Sequence, residues 1–436
     1  MLMLICRKWR RIVLASQRAL QLRLFCTHGT PVSKALDCWP ALPIIVQYGG
    51  CPALSPPAPE DQGNIKTALK QSGRVSSISL TVTRSHLEIF SNEKPFSELE
   101  ELVLLSRDNM QLTLPSAFRW GPRLRRLHST GIAFPALLRR LSSSRDLVDI
   151  QLHDVFYHRN LSPKAFANAL SGMAQLQSLS LHFLSTTNRI TMSSHSENRV
   201  ILPAITRFSF RGITKYLEDL LARIDAPRLG DIEITLLDEP TSDVSSLLKF
   251  IGRVEIQESY RRADILFTEH SVSITLTQPA PTCLKLQVPC EAVSRQLFHI
   301  AQICNLFSAF LIYVDDLRIK ATRLSGMQDG TGPWTKLIGL FGGTKWFYVT
   351  GGFWPEIVLA LQHTDGTMLP ALFKLCIREP GPYHALLREA VVSLLVSRQC
   401  SGRLIGVEFE QPCISEPRGT GKMFVQCQFL LLTNVL

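Results

Sequence analysis

The sequence predicts an α/β repeat protein, a solenoid with a parallel strand face, on three observations. The first is a recurring phrase: an apolar residue, two others, an apolar residue, one other, an apolar residue. It reads Val75/Ile78/Leu80, Leu99/Leu102/Leu104, Leu147/Ile150/Leu152, Leu176/Leu179/Leu181, Ile205/Phe208/Phe210, Leu229/Ile232/Ile234, Val314/Leu317/Ile319 and Leu372/Leu375/Ile377. The second is spacing, because up to Ile232 the copies stand 23 to 29 residues apart, the period of leucine-rich repeats. The third is that stretches with helical periodicity fill the intervals. Such a repeat cannot cover its apolar side alone, so neighbours stack, with strands on a concave face and helices or loops opposite.

Taken in order, Leu4 to Ala15 reads as a helix with Ile5, Trp9, Ile12 and Val13 on one stripe and arginines on the other. Ala19 to Phe25 alternates like a short strand, and Gly49 to Pro59 is rich in proline and glycine, as connectors are. Helices are expected at Asn64–Gln71, Pro135–Ser142, Pro163–Met173 and Tyr216–Ile224; Ser162-Pro163 is a helix-start signal. Leu124/Leu127 begins a copy that ends on Ser129, and Phe347/Val349 keeps two positions of another. Thr186 to Arg199 is a polar insertion. For about 80 residues after Ile234 the phrase fails, and Val272–Leu276 and Cys283–Val288 read as paired strands before a helix at Glu291–Phe307. The pattern stops after Val407, and Met423 to Leu436 is an apolar tail without a role. The expected division is an N-terminal segment 1–27, a connector 28–63, the repeat array 64–410 and a tail 411–436.

Composition narrows the function classes. Apolar residues make up 45% and charged ones 19% of 436, which describes a chain with a large core and argues against disorder. The net charge is +11, but residues 1 to 36 carry Arg7, Lys8, Arg10, Arg11, Arg18, Arg23 and Lys34 with no acid. Removing those seven leaves +4 over the other 400 residues, too dilute for a groove that tracks phosphates, so no nucleic acid is expected. No uninterrupted apolar run reaches the length of a membrane span; Leu297 to Val314 is broken by His299, Gln302 and Asn305. The eleven cysteines are odd in number and form no C-x-x-C pair, which argues against a disulfide framework and a zinc site. Cys304 and Cys376 sit among apolar neighbours and read as small buried hydrophobes. A reducing compartment, cytoplasm or nucleus, is expected.

In each strand the phrase residues point inward and those between them outward. The outward set is the candidate binding face: Arg126, His128, Asp149, Gln151, His153, His182, Arg207, Arg211, Glu233, Arg318, Trp346, Tyr348 and Arg378, with Ser180, Ser209, Asp231 and Lys320 among them. The asparagine that ladders regular repeats is missing, for example at Arg107, so the repeats are degenerate.

A family resemblance enters at the N-terminus. Ile5-Cys6-Arg-Lys-Trp9-Arg-Arg-Ile12-Val13, followed by Arg18-Ala-Leu-Gln-Leu-Arg-Leu24, resembles the second half of an F-box. Cys26-Thr27, Pro31-Val32, Leu36-Asp37 and Trp39-Pro-Ala-Leu-Pro43 are similar to the join in a group of fungal F-box proteins with degenerate leucine-rich repeats, and Tyr216 to Pro227 resembles their mid-array. The resemblance implies that residues 1–27 are the C-terminal half of an F-box and that Ile5, Trp9, Ile12 and Val13 belong to its core and adaptor contact. It implies a substrate-receptor subunit of a cullin-type ubiquitin ligase, with a small adaptor and a protein substrate as partners, working as a monomer within that complex. The family's opening Leu-Pro and first helices have no counterpart after Met1; a gene model that lost its start, or a decayed copy, is the expectation. The alternatives are a ligase-independent interaction scaffold and a mitochondrial import signal, since the first residues are basic and acid-free.

No catalytic, cofactor or metal site is expected. Gly419-Thr-Gly421-Lys422 lacks the upstream glycine of a phosphate loop, and Met423 stands where a magnesium-binding hydroxyl belongs. His153 with His158, and Asp315-Asp316, have no third partner at useful spacing. The basic run Arg119 to Arg126, with Arg139, Arg140 and Arg145, reads first as a solvated edge with Trp120 packed beneath, and second as a clamp for an acidic or phosphorylated peptide.

Overall fold

The computed structural model describes residues 21–38, 42–49, 59–90, 94–106, 112–133, 137–155, 161–184, 199–239, 245–253, 260–278, 283–321, 331–362, 368–378, 389, 391–396, 398 and 406–410. The helix expected at Leu4–Ala15, the tail from 411 and most of the polar insertion lie outside these residues. The chain divides into two compact units, Met1–Leu229 and Gly230–Leu436.

In the first unit the strands are β1 (Leu22–Phe25), β2 (Ile44–Tyr48), β3 (Val75–Val82), β4 (Glu101–Ser106), β5 (Leu112–Thr113), β6 (Arg126–Thr130), β7 (Ile132–Ala133), β8 (Asp149–Val155), β9 (Ser178–Phe183), β10 (Val200–Ile201), β11 (Arg207–Gly212) and β12 (Ile224–Asp225). The main sheet runs β1-β2-β3-β4-β6-β8-β9-β11, and every pairing in it is parallel. Two short parallel ladders, β5–β7 and β10–β12, flank it.

The register shows why the phrase makes this sheet. Ile78, Leu102, Leu127, Ile150, Leu179 and Phe208 stand opposite one another strand by strand, and none is more than 1% exposed. Each such side chain contributes about 1.5–3 kcal/mol on burial, so a one-residue slip would turn the whole column toward water. The next column is Leu80, Leu104, Ser129, Leu152, Leu181 and, opposite it, Phe210. Ser129, the residue that breaks the phrase, is buried there with no hydrogen-bond partner for its hydroxyl, a local cost of about 1–3 kcal/mol.

Helices α1 (Val32–Cys38), α2 (Pro59–Leu69), α3 (Arg84–Leu87), α4 (Leu137–Ser143), α5 (Pro163–Leu170) and α6 (Thr214–Leu221) occupy the intervals. Helix α5 starts where Ser162 accepts a hydrogen bond from the Ala165 amide at 3.3 Å and Pro163 takes the first turn. It buries Phe166, Ala167 and Leu170. Helix α6 buries Tyr216, whose ring lies 4.7 Å from that of Phe183 on β9. Residues 28–63, read as a connector, hold α1 and β2, and β2 pairs with both β1 and β3. The sheet therefore begins ahead of Val75. Ile44-Ile-Val-Gln-Tyr48 buries only Ile44 and Val46, too short an alternation to display the phrase.

The second unit contains β13 (Asp231–Leu236), α7 (Ser245–Arg253), β14 (Arg262–Phe267), β15 (Ser271–Thr277), β16 (Cys283–Pro289), α8 (Val293–Leu306), α9 (Ser308–Leu311), β17 (Asp316–Ala321), α10 (Gly332–Gly339), β18 (Trp346–Thr350), α11 (Trp354–Gln362), β19 (Lys374–Arg378) and β20 (Gly406–Glu410). Its strand order is β13-β16-β15-β14-β17-β18-β19-β20. The expectation of a wholly parallel face is corrected here, because β15 runs antiparallel to both β14 and β16. The cause is local. Three residues, Thr268 to His270, join β14 to β15, and so short a link permits a hairpin and no crossover. Strand β14 fills the gap in the phrase by strict alternation, with Ala263, Ile265 and Phe267 fully buried.

Behind these strands lies an aromatic cluster. Trp334 on α10 packs its ring 5.7 Å from Phe267 and 5.2 Å from Phe353, and those two are 5.1 Å apart. Among the described residues no helix is long and apolar enough to cross a membrane.

Candidate functional site

The residues between phrase positions do form an open strand face in each unit. In the first unit its centre is a column of histidines. His153 stacks on His182 with ring centroids 4.1 Å apart and planes 8° from parallel, and His128 meets His153 edge-on at 5.3 Å. Hydroxyls tie the column laterally: His153 Nε2 to Ser180 at 2.9 Å, Ser180 to His182 Nε2 at 3.3 Å, and His182 Nε2 to Ser209 at 3.0 Å. A bulge follows His153, where Asp154 adopts a φ of 54°, a left-handed conformation that aspartate tolerates better than most residues. At one margin Arg126 pairs with Glu101 at 3.3 Å, and Gln151 donates to Asp149 at 2.9 Å. Arg207 and Arg211 on β11 are exposed.

Burial pushes the His153 pKa from 6.5 down to about 4, helped by His182 and His128 and opposed by Asp154 and Asp149. His128 is also lowered, first by burial. Between about pH 4 and 6.5 the unfolded chain therefore holds a proton that folded His153 refuses. This contribution to stability is complete above pH 6.5 and is lost as pH falls toward 4. We expect acidification from pH 7 to 4.5 to destabilise the wild-type chain by about 1–2 kcal/mol more than His153→Phe, allowing for solvent screening of a part-exposed ring. Thermal melts of both proteins across that range check it; parallel pH profiles would refute it.

In the second unit the face is a ladder of paired charges beside an aromatic pair. Glu233 meets Lys285 at 2.7 Å, Arg262 meets Asp264 at 2.7 Å, and Arg318 meets Asp316 at 2.8 Å. The Arg318 guanidinium lies 4.6 Å above the Tyr348 ring, and that of Arg378 lies 5.7 Å from the same ring. Trp346, one pleat from Tyr348, is 40% exposed. Asp315 is held by Arg261 and Lys345, each at 3.0 Å, so both aspartates of Asp315-Asp316 stand in ion pairs. Cys376 is buried as expected but has a polar neighbour. It occupies an open-face position opposite Tyr348, with its thiol 3.4 Å from the Glu408 carboxylate.

The basic run behaves as an edge. Trp120 is packed beneath and donates to Ser144 at 2.8 Å, and Arg123 pairs with Glu98. Arg123 and Arg125 line an open cavity of about 380 Å³ together with Glu100 and Asp146, whose charges offset theirs. Ile5, Trp9, Ile12 and Val13, the positions likened in sequence to half an F-box, and the glycines near Lys422 lie outside the described residues, as does His158. Cys26, Cys38, Cys283, Cys290, Cys304 and Cys376 are free thiols. Among the described residues, one group brings three ligand-type side chains together: Glu239, Cys290 and His299. Nothing in the residue pattern points to it, since Glu239 is remote and Cys290 and His299 follow no known ligand spacing.

Fold and face together define a mixed α/β protein built on parallel strands with buried leucine-type columns. No family model matches the chain, and no curated protein does. Among solved structures it is similar to the leucine-rich repeat-containing protein LegL7 from Legionella pneumophila, at 12% identity and a TM-score of 0.30, over 86% of this chain and 97% of that one.

Proposed function

We propose that this chain is a protein-binding receptor without chemistry of its own, which holds a partner against its open strand faces. The observation that carries this reading is the Arg318–Tyr348–Arg378 stack beside exposed Trp346. Tryptophan, tyrosine and arginine are the side chains that dominate binding energy at protein interfaces. Here they stand on a rigid sheet, with little entropy left to lose on docking. The neighbouring charges are paired within the chain, which favours a partner that meets the aromatic centre over one drawn by net charge.

The finer form of the proposal is a substrate receptor of a cullin-type ubiquitin ligase, acting in the cytoplasm or nucleus. It rests on the likeness of residues 5 to 24 to half an F-box. In that role the chain raises the effective concentration of substrate near the modifying enzyme, and micromolar affinity suffices. Affinity purification of the tagged chain from its own cells should recover a small adaptor and a cullin. A reproducible set of partners lacking both removes the ligase role and leaves a scaffold.

Tyr348→Ala tests the face itself. Recovery of protein partners other than the adaptor and cullin should fall about 30-fold, equivalent to about 2 kcal/mol, while the free energy of unfolding in urea stays within about 0.5 kcal/mol of wild type. Undiminished recovery would remove this face from the binding site.

A further inference from the structure

We propose that Glu239, Cys290 and His299 form a three-ligand site for a thiophilic divalent cation of the Zn²⁺ type, with a fourth position open to water or to a partner's side chain. The topology of the second unit brings them together. Strands β13 and β16 run parallel with Thr235 opposite Gln287, so the segments leaving them start side by side. Glu239 lies on the first of these segments and Cys290 on the second. Helix α8 then returns His299 to the same place. Gln296, one helical turn earlier, stitches the helix to this corner: its Nε2 donates to the Cys290 carbonyl at 2.6 Å and to the Thr268 carbonyl at 2.9 Å.

One ligand atom from each residue lies within 4.8 Å of the other two. Thiolate, imidazole and carboxylate are the three donor types that zinc takes, and three protein donors with one open position is a common arrangement for it. Tetrahedral zinc with bonds of about 2.0–2.3 Å separates its ligand atoms by about 3.3–3.6 Å. The Nε2 of His299 and Oε2 of Glu239 are 3.9 Å apart, too far for a hydrogen bond and a few tenths of an ångström from that separation. The other carboxylate oxygen, Oε1, faces Arg295 at 3.5 Å, the kind of outer partner that orients a metal-binding carboxylate.

Burial supports the assignment. Cys290 is 4% and His299 9% exposed, and the Nδ1 of His299 is buried with no hydrogen-bond partner. Glu239 is open to solvent, which supplies an entry route. Burial lowers the His299 pKa, with Arg295 adding to the shift and Glu239 opposing it. Burial raises the Cys290 thiol; a bound cation reverses this by taking the thiolate and releasing its proton.

Titration of the reduced full chain with Co²⁺, followed by competition with Zn²⁺, tests the site. We expect one equivalent to bind with a thiolate-to-cobalt charge-transfer band and to be displaced by Zn²⁺. Cys290→Ser should abolish the band and weaken binding about 100-fold. Glu239→Gln, at an exposed position that leaves folding intact, should keep the band and weaken binding about 10-fold. No stoichiometric band in the wild type overturns the assignment, as does binding that neither substitution changes.

Discussion

Trp334→Ala is expected to destabilise the second unit by about 3–5 kcal/mol, the range for removing a large aromatic side chain from a core. Trp334 is fully buried, and it fills the space between Phe267 and Phe353. Its loss leaves a cavity directly behind β14, the strand that sets β17 and therefore Arg318. The indole Nε1 has no partner in that core. Trp334→Phe should therefore cost well under half as much, because it removes a stranded donor along with some volume. Urea unfolding of both variants decides the matter. An alanine variant within about 1 kcal/mol of wild type, or a phenylalanine variant as damaged as alanine, would show that the cluster is not the centre of this core.

Gly343→Ala should cost about 2–4 kcal/mol for a different reason, the absence of space. A Cβ built on Gly343 falls 2.1 Å from the Ile312 carbonyl oxygen, a backbone atom that no rotamer change can move. Relief requires parting the segment before β18 from the segment before β17. Those segments are joined where the Lys345 and Trp346 amides donate to the Asp315 carbonyl at 2.8 and 2.9 Å, so the position of Trp346 on the open face should suffer too. Gly342 is the matched control, since a Cβ added there would meet nothing within 4 Å; Gly342→Ala should be nearly neutral. Equal urea midpoints for the two variants would refute the close-approach account.

Much of the strand order was legible because the phrase is a burial code. Leu102, Leu127, Ile150 and Leu179 were placed in one inward column by spacing alone, and they are opposite one another in register. What spacing could not supply was direction. The alternation over Val272–Leu276 marked a strand, but its antiparallel course followed from the length of the link before it, which only the position of β14 reveals. Strand β14 was itself missed because Ala263 is too small to register as a phrase residue, although it is fully buried. The outward strand positions follow from the same periodicity. Their mutual contacts do not, because the stacking of His153 on His182 depends on which strands become neighbours and on the bulge at Asp154. The Glu239–Cys290–His299 group lies at the far end of this limit, being assembled from a loop, a strand end and a helix.

The reversed strand β15 has one more consequence. The chain leaves β13, passes over two places to lay down β14, doubles back through β15 and β16, and then travels along α8 to reach β17. Two reversals cancel, so polarity is restored while the surface gains the width of two strands, about 10 Å. Stacked layers are separable, and a layer can be added or removed without disturbing those beyond it. A woven stretch has no such seam. From β13 to β17 the chain must be kept or discarded whole, and a cut anywhere inside it should unravel neighbours that are distant in sequence.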